Sequence, residues 1–219
     1  MNLRLGRPRS LLVIAPHPDD ETIGAFGLIA HCRRRGIPVR ILVASDGAGS
    51  HPTSVAWPRR RLVAERQRES LQATRRSRVP AGAVNFLGLP DGGLSAMQIQ
   101  LSNEIGRAIR RAPKPMLIAA PLANDEHADH RAVAAAIATT RARGVRVLGY
   151  PVWPAGAATA RRSCTIVLSS CERLSKRRTI ESYRTQAGRI VDDPSGFAMT
   201  RSQIAAFSRA QEHFVEVRR

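Results

Sequence analysis

The sequence has few cysteines, few aromatic residues and almost no lysine. Its three cysteines are Cys32, Cys164 and Cys171. An odd number without CxxC spacing predicts neither a disulfide framework nor a cysteine zinc site, and it favours a reducing cytoplasm as the location. Aromatic residues make up only 4% of the chain, which leaves few rings to stack on nucleic-acid bases.

Long apolar runs are also absent. The first apolar stretch, residues 11–15, is too short for the core of a signal peptide and leads directly towards His17. No other stretch is long enough to cross a bilayer, so no transmembrane segment is expected. Hydrophobic residues still make up 43% of the chain, which supports one compact domain over residues 1–219. The sequence leaves the oligomeric state open.

The formal net charge is +18, and only two of the 35 basic residues are lysines. A surface rich in arginine can attract nucleic acid, an anionic membrane or an anionic substrate. Codon usage in a GC-rich genome can produce the same excess without selection for any ligand. Because the arginines are scattered in short runs, such as residues 33–35 and 59–61, nucleic acid is not the expected partner.

Short apolar, β-branched runs alternate with helical stretches over the first two thirds of the chain. Strands are predicted at residues 11–15, 39–44, 84–87, 116–120 and 145–150, and helices at 22–35, 58–77, 96–111 and 129–143. This alternation predicts a single doubly wound, Rossmann-like α/β domain with a mostly parallel sheet. The C-terminal part is less regular, with a strand predicted at 163–168, a helix at 171–187 and a poorly patterned tail.

Polar and glycine-rich loops follow the first four predicted strands. The carboxyl ends of parallel strands meet at one edge of such a sheet, where ligands bind. We therefore expect four side chains from these loops to face one crevice. They are His17, Asp46, Asp91 and His127.

Two of these loops are rich in side chains that bind metals. They are His17, Asp19 and Asp20 after the first strand, and His127, Asp129 and His130 after the fourth. Imidazole nitrogen and carboxylate oxygen are common zinc ligands, and three of them leave a fourth position for water in catalytic sites. A lone histidine is more often structural, and Asp129 by itself fits a helix N-cap. Two clusters at strand ends nevertheless predict a metal site.

The two clusters also resemble the signatures of a known family, the LmbE-like or PIG-L de-N-acetylases. Residues 15–21, APHPDDE, resemble its first motif, and residues 127–130, HADH, resemble its second. The resemblance continues through residues 45–47, 66–69 and 87–92, and more weakly through 183–186, so it covers most of the chain up to about residue 187. Pro16 departs from the pattern, since alanine is usual there, and should change loop stiffness rather than ligand chemistry.

The resemblance implies a role for each site residue. The implied zinc ligands are His17, Asp20 and His130; the general base is Asp19; His127 is the acid or oxyanion-stabilising group; Asp91 orients His127; and Arg68 binds substrate. For Asp91 the alternative is an ordinary turn residue, and for Arg68 it is a solvated helix face. Zn²⁺ is the implied cofactor, and other divalent ions should be able to replace it. Gly47 and Gly49 are expected to serve backbone turns near the site.

The implied function is metal-dependent hydrolysis of the N-acetyl group of an N-acetylglucosamine-type sugar conjugate, giving the free amine and acetate. Two alternative functions fit the sequence less well. A metal-dependent phosphoesterase of the DHH type would need a second histidine after His130, where Arg131 stands. An Arg-rich nucleic-acid-binding domain would explain the charge but leaves the carboxylates of the loops without a purpose.

Overall fold

A computed structural model describes residues 2–140, 142–156 and 163–217. Within these ranges seven strands form one mixed sheet. They are β1 (Ser10–Ala15), β2 (Val39–Ser45), β3 (Val84–Leu89), β4 (Met116–Pro121), β5 (Val145–Tyr150), β6 (Ser163–Val167) and β7 (Gln211–Val217). Their order across the sheet is β3-β2-β1-β4-β5-β7-β6. The first five strands are parallel, while β7 pairs antiparallel with both β5 and β6. The predicted α/β fold with a mostly parallel sheet is confirmed.

Six α-helices accompany the sheet in the described part of the chain. They are α1 (Asp20–Arg34), α2 (Arg59–Arg76), α3 (Gln98–Arg111), α4 (Ala128–Ala138), α5 (Ser170–Ile180) and α6 (Arg201–Phe207). None of them is long and apolar enough to span a membrane. The helix predicted at 129–143 ends earlier, at Ala138, and residue 141 lies outside the described residues.

The predicted C-terminal part needs two corrections. The helix expected at 171–187 stops at Ile180, and a separate 3-10 turn follows at Arg184–Gln186. The tail, expected to be poorly patterned, contains α6 and β7. β7 inserts between β5 and β6, and so it completes the sheet.

The central strand β1 separates two hydrophobic cores. All six of its residues are buried. Leu11 and Val13 pack on the side of α1, whereas Leu12 and Ile14 pack on the side of α3 and α4. Burying one such aliphatic side chain contributes about 1.5–3 kcal/mol. This two-sided burial explains why β1 appears in the sequence as a continuous apolar run rather than an alternating one.

The sheet order places a ligand crevice beside β1. β1 pairs with β2 on one edge and with β4 on the other, so the strand order reverses at this point. In doubly wound folds the loops at the carboxyl ends of two such strands diverge and leave a crevice between them. The loops after β1 and β4 carry both predicted metal-binding clusters.

Candidate active site

The loop after β1 turns sharply into α1 and buries its acidic residues. Asp19 precedes the helix with φ 138° and ψ −29°, a backbone conformation that costs energy in any residue except glycine. Its amide donates to Oε2 of Glu21 (3.0 Å). Asp20, the first helical residue, is 2% exposed. Strain of this kind persists only where surrounding contacts stabilise it. Here the carboxylate of Asp20 lies near His17 and His130, whereas that of Asp19 lies near Arg66.

Asp20 lies between two imidazoles from different loops. Its Oδ2 is 3.1 Å from Nδ1 of His17 and 3.2 Å from Nε2 of His130. Two ligand atoms on a tetrahedral zinc, each about 2.0–2.2 Å from the metal, lie roughly 3.3 Å apart. Nε2 of His130 is buried and has no aligned hydrogen-bond partner in the described part of the chain. The donor set and its spacing therefore fit a divalent metal held by His17, Asp20 and His130.

In each imidazole, the ring nitrogen that does not face Asp20 lies close to the carboxylate of another aspartate. Nε2 of His17 lies 3.1 Å from Oδ1 of Asp91 and 3.3 Å from Oδ2 of Asp129. Nδ1 of His130 lies 3.2 Å from Oδ2 of Asp125. Histidines that bind metals commonly present their second nitrogen to a carboxylate, which fixes the ring and raises its basicity. Both imidazoles have this arrangement here.

The surrounding aspartates favour positive charge at these rings. Burial lowers the pKa of His17, but hydrogen bonds to aspartates, Asp129 foremost, raise it well above its ordinary value. Burial also opposes charge on His130, yet Asp20 and Asp125 raise its pKa to about 9. The field that holds these protons also attracts a divalent cation, which can displace them.

Other groups of side chains also converge here but suit a metal less well. His127 brings a nitrogen within 4.8 Å of His17 and His130. Its Nδ1, however, already accepts a hydrogen bond from the amide of Asp129 (3.2 Å). A second group joins His17, Asp91 and Asp129, but it contains only one imidazole, and its carboxylates accept the backbone N–H groups of Gly49, Gly92 and Leu94, as Oδ2 of Asp20 accepts that of His17 (2.9 Å). Of these groups, the one around Asp20 combines two imidazoles with a carboxylate, which is the donor set of many catalytic zinc sites.

Asp19 is the second carboxylate of the loop after β1 and precedes Asp20 in the chain. It is 6% exposed and lines the same cavity. Burial raises its pKa to about 8, with Asp20 adding to the rise and the guanidinium of Arg66 opposing it. A carboxylate with a raised pKa is a stronger base than one in water, so Asp19 is suited to take a proton near neutral pH.

His127 presents a neutral imidazole to the cavity. Because its Nδ1 accepts from the amide of Asp129, its proton belongs on Nε2. Burial and the nearby rings of His17 and His130 lower its pKa. The ring lies edge-on to His17, with centroids 4.6 Å apart. His127 is thus a hydrogen-bond donor through Nε2–H, a form suited to stabilising negative charge on a carbonyl oxygen.

These residues line a cavity of about 400 Å³. The polar lining residues include Asp19, Asp20, His17 and His127. The apolar lining residues, called the apolar wall below, are Ile23, Trp153, Phe197 and Met199. The rings of Trp153 and Phe197 meet edge-to-face, 5.8 Å apart.

Comparisons with known proteins identify the family of the chain. The family described as GlcNAc-PI de-N-acetylase, PIG-L, matches residues 12–140 of the chain. The chain belongs to the PIG-L family. A 1D-myo-inositol 2-acetamido-2-deoxy-alpha-D-glucopyranoside deacetylase of Nocardia farcinica is 36% identical over 84 residues, which cover 36% of this chain and 28% of that protein. The match therefore spans less than a third of that relative.

Solved structures share the fold of this PIG-L chain. A conserved protein from Thermus thermophilus superposes with a TM-score of 0.68 at 21% identity and covers 94% of this chain and 93% of its own. The N,N'-diacetylchitobiose deacetylase of Pyrococcus horikoshii, complexed with its inhibitor, gives a TM-score of 0.67 at 20% identity, over 96% and 84% of the two chains. At these identities the likeness shows the common fold.

Two residues expected near the PIG-L site, Asp91 and Asp46, make contacts other than those expected. Asp91 lines the cavity, but it contacts His17, and no hydrogen bond or ion pair joins it to His127 among the described residues. The backbone amide of Asp129 fixes the ring of His127 instead. Asp46 is buried beneath the loop after β2, where it accepts from the amide of Ala48 and pairs with Arg59.

Arg66 holds the place at the cavity that the sequence analysis assigned to Arg68. The side chain of Arg68 is 54% exposed and binds both oxygens of Glu65, so the structure does not bring it to the site. Arg66 is 3% exposed and lines the cavity. Its guanidinium donates to the carbonyls of Pro18 and Gly47, each at 2.8 Å, and lies 3.4 Å from Oδ2 of Asp19.

Arg66 requires a glycine at position 47. A Cβ there would lie 2.8 Å from Nη1 of Arg66, and the backbone of Gly47 has φ +71°. The expectation that Gly47 serves a turn near the site is consistent with both observations. One buried guanidinium thus connects the loop after β1 to the loop after β2 and holds the strained backbone next to Asp19.

Replacing each arginine by lysine, one at a time, should show which of the two supports the site. Arg66→Lys removes at least one of the hydrogen bonds that hold the carbonyls of Pro18 and Gly47. Hydrogen bonds to charged groups contribute about 1.5–3 kcal/mol. We expect the free energy of unfolding to fall by about that amount and kcat/KM to fall more than tenfold, measured by denaturant titration and acetate release. Arg68→Lys is the matched control and should change kcat/KM less than twofold; equal losses in both variants would contradict the assignment.

Sequence reasoning missed the wall formed by the C-terminal part. Gln186, Phe197 and Met199 all line the cavity. The amide of Phe197 donates to the carbonyl of Ser50, and the amide of Met199 donates to the carbonyl of Gln186, both at 2.7 Å. The resemblance over residues 183–186 was the one signal for this region, and it extended only to Gln186.

Proposed function

We propose that this chain is a zinc-dependent N-deacetylase that hydrolyses the acetamide of an N-acetylglucosamine-type conjugate to the free amine and acetate. The observation that carries the proposal is Asp20, whose carboxylate lies between Nδ1 of His17 and Nε2 of His130, while the neighbouring Asp19 lines the same cavity. Membership of the PIG-L family and the deacetylase names of the relatives support it.

In this proposal Asp19 carries out the proton transfers, and His127 stabilises the negative charge that develops on the carbonyl oxygen. When bound, Zn²⁺ would polarise the amide oxygen and lower the pKa of water. Asp19 takes a proton from the attacking water while the oxygen of that water bonds to the carbonyl carbon. Nε2–H of His127 donates to the developing oxyanion. The C–N bond then breaks, and the proton held by Asp19 passes to the leaving amine, so that amine and acetic acid account for every atom.

The cavity favours an uncharged conjugate despite the high charge of the chain. Within the described residues, the cavity lining contains one arginine and no lysine, and that Arg66 is occupied by two carbonyls and Asp19. Asp91 and Glu126 add negative charge at the wall. Apart from the proposed metal and its histidines, a phosphate in this cavity would meet carboxylates and, among the described residues, no arginine or lysine without other partners. The apolar wall, in contrast, offers Trp153 and Phe197 to a sugar ring or an apolar aglycone.

We therefore expect a preference among acetylated sugars. Zinc-loaded protein should release acetate from a neutral N-acetylglucosamine glycoside, such as the p-nitrophenyl glycoside, with kcat/KM at least tenfold above that for N-acetylglucosamine 1-phosphate. Acetate is measured by a coupled assay, and the free amine by derivatisation. Faster hydrolysis of the phosphate would contradict the proposed specificity, and no acetate from any N-acetylglucosamine conjugate would contradict the function itself.

The observations favour neither alternative function over this one. Arg131, which stands where a DHH-type phosphoesterase needs histidine, donates to the carbonyls of Asp125 and Glu126 and so supports the loop. A role in nucleic-acid binding would have to use the outer surface, because the cavity itself is acidic.

A further inference from the structure

Asp125, in the loop between β4 and α4, is a buried carboxylate to which the sequence motifs gave no role. Its side chain is completely buried. Oδ1 accepts from the backbone amide of His127 at 3.0 Å. Oδ2 accepts from the amide of Trp153 at 3.0 Å and from that of Val152 at 3.3 Å. The same Oδ2 lies 3.2 Å from Nδ1 of His130.

These contacts join three parts of the site. His130 is a proposed metal ligand, His127 is the proposed oxyanion donor, and Trp153 forms part of the apolar wall. Trp153 is itself held edge-to-face by Phe197 and Phe207, with ring centroids 5.8 and 5.4 Å away. A single carboxylate thus contacts the segment that carries His127 and His130 and the segment that carries Trp153.

An aspartate that only caps a turn would explain part of this arrangement. The bond from Oδ1 to the amide two residues later is the usual pattern of such a turn. The contacts of Oδ2 are different, because Trp153 lies 28 positions away and His130 is contacted through its ring. Turn capping does not require either contact, and the ring contact is the one that a metal ligand needs.

We propose that Asp125 is a positioning residue that orients the imidazole of His130 towards a divalent cation and couples this ligand to the cavity wall at Trp153. The inference rests on the proposed metal-dependent function. The Nδ1–Oδ2 contact at 3.2 Å is not aligned as a hydrogen bond. We expect it to shorten and align when Nε2 binds the cation, because metal binding makes Nδ1–H a stronger donor.

The variant Asp125→Asn tests the inference because it keeps the size of the side chain and removes its charge. The dissociation constant for Zn²⁺ is measured by competition with a chromophoric chelator, and the ligand field by the absorption spectrum of the Co²⁺-loaded protein. We expect zinc binding to weaken about 10–100-fold and the Co²⁺ spectrum to change. We also expect KM for the neutral glycoside to rise, because the wall at Trp153 loses its support.

Asp193→Asn is the matched control. Asp193 likewise accepts backbone and hydroxyl groups, those of Thr53 and Ser195, in a turn without metal ligands. This variant should keep the zinc affinity and Co²⁺ spectrum of the unmodified chain. A folded Asp125→Asn protein with unchanged affinity and spectrum would overturn the inference.

A second measurement covers the case in which Asp125→Asn fails to fold. In zinc-loaded protein labelled with ¹⁵N-histidine, Nδ1 of His130 should carry a proton with a downfield, hydrogen-bonded NMR signal, while Nε2 binds the metal. Metal bound through Nδ1, or an exchanging Nδ1 proton, would overturn the inference. Neither readout depends on hydrolysis, so a chain that deacetylates no sugar yet shows these signals refutes the proposed function and still supports the role of Asp125.

Discussion

Asp19→Asn should leave the metal in place and remove most of the activity. The substitution keeps the shape of the side chain, and asparagine tolerates a positive φ better than most residues, so the turn at φ 138° should survive. The variant has no carboxylate to take the proton of the attacking water. The loss of a positioned general base lowers kcat by about 10²–10⁴-fold. We expect a loss in that range with zinc content near that of the unmodified chain, measured by acetate release and elemental analysis.

The neighbouring carboxylate provides the control for this prediction. Asp20→Asn should lose metal, because Oδ2 of Asp20 is the oxygen that lies between His17 and His130. If Asp19→Asn lost zinc while Asp20→Asn retained it with near-normal turnover, the roles of the two carboxylates would be exchanged.

His130→Gln should abolish tight zinc binding. The imidazole is completely buried, and among the residues that the structure describes its Nε2 has no aligned hydrogen-bond partner. Losing this ligand should weaken zinc binding by more than the 10–100-fold expected for an outer partner such as Asp125. A ligand that binds only the folded state stabilises it by RT ln(1 + [L]/Kd). We therefore expect zinc to raise the thermal midpoint of the unmodified chain by several degrees and to leave that of the variant nearly unchanged.

A histidine distant from the site separates this effect from general damage. His31 lies in the last turn of α1, away from the cavity lining. His31→Gln should keep the full zinc-induced rise in thermal midpoint. A rise of equal size in the His130 variant would remove His130 from the ligand set.

The parallel core of the fold could be predicted because its signals are local. Strands buried on both faces, such as β1, leave continuous apolar runs in the sequence, and turns or glycines mark their ends. β7 has no such run. Its core-facing positions include Glu212, which is 5% exposed and pairs with the buried ammonium of Lys176 at 2.8 Å. A charge that is compensated by a residue 36 positions away cannot be distinguished from a solvated charge by pattern alone.

The metal-binding clusters were recognisable because each is a short segment with several ligands. The surroundings of the site come from distant segments, and for this reason Asp125 and the apolar wall at Trp153 and Phe197 were missed. The buried position of Arg66, in contrast, could have been predicted from the sequence. Leu62, Arg66 and Ala73 recur at helical spacing and form the buried stripe of α2, whereas Arg68 falls on the opposite face.

Titration of metal-free protein with zinc while acetate release is followed tests the central claim most directly. With a neutral N-acetylglucosamine glycoside as substrate, we expect no acetate above background without metal and a linear rise that ends at about one zinc per chain. Metal-free protein, verified by elemental analysis, that hydrolyses the acetamide at the full rate would contradict the proposed site at His17, Asp20 and His130.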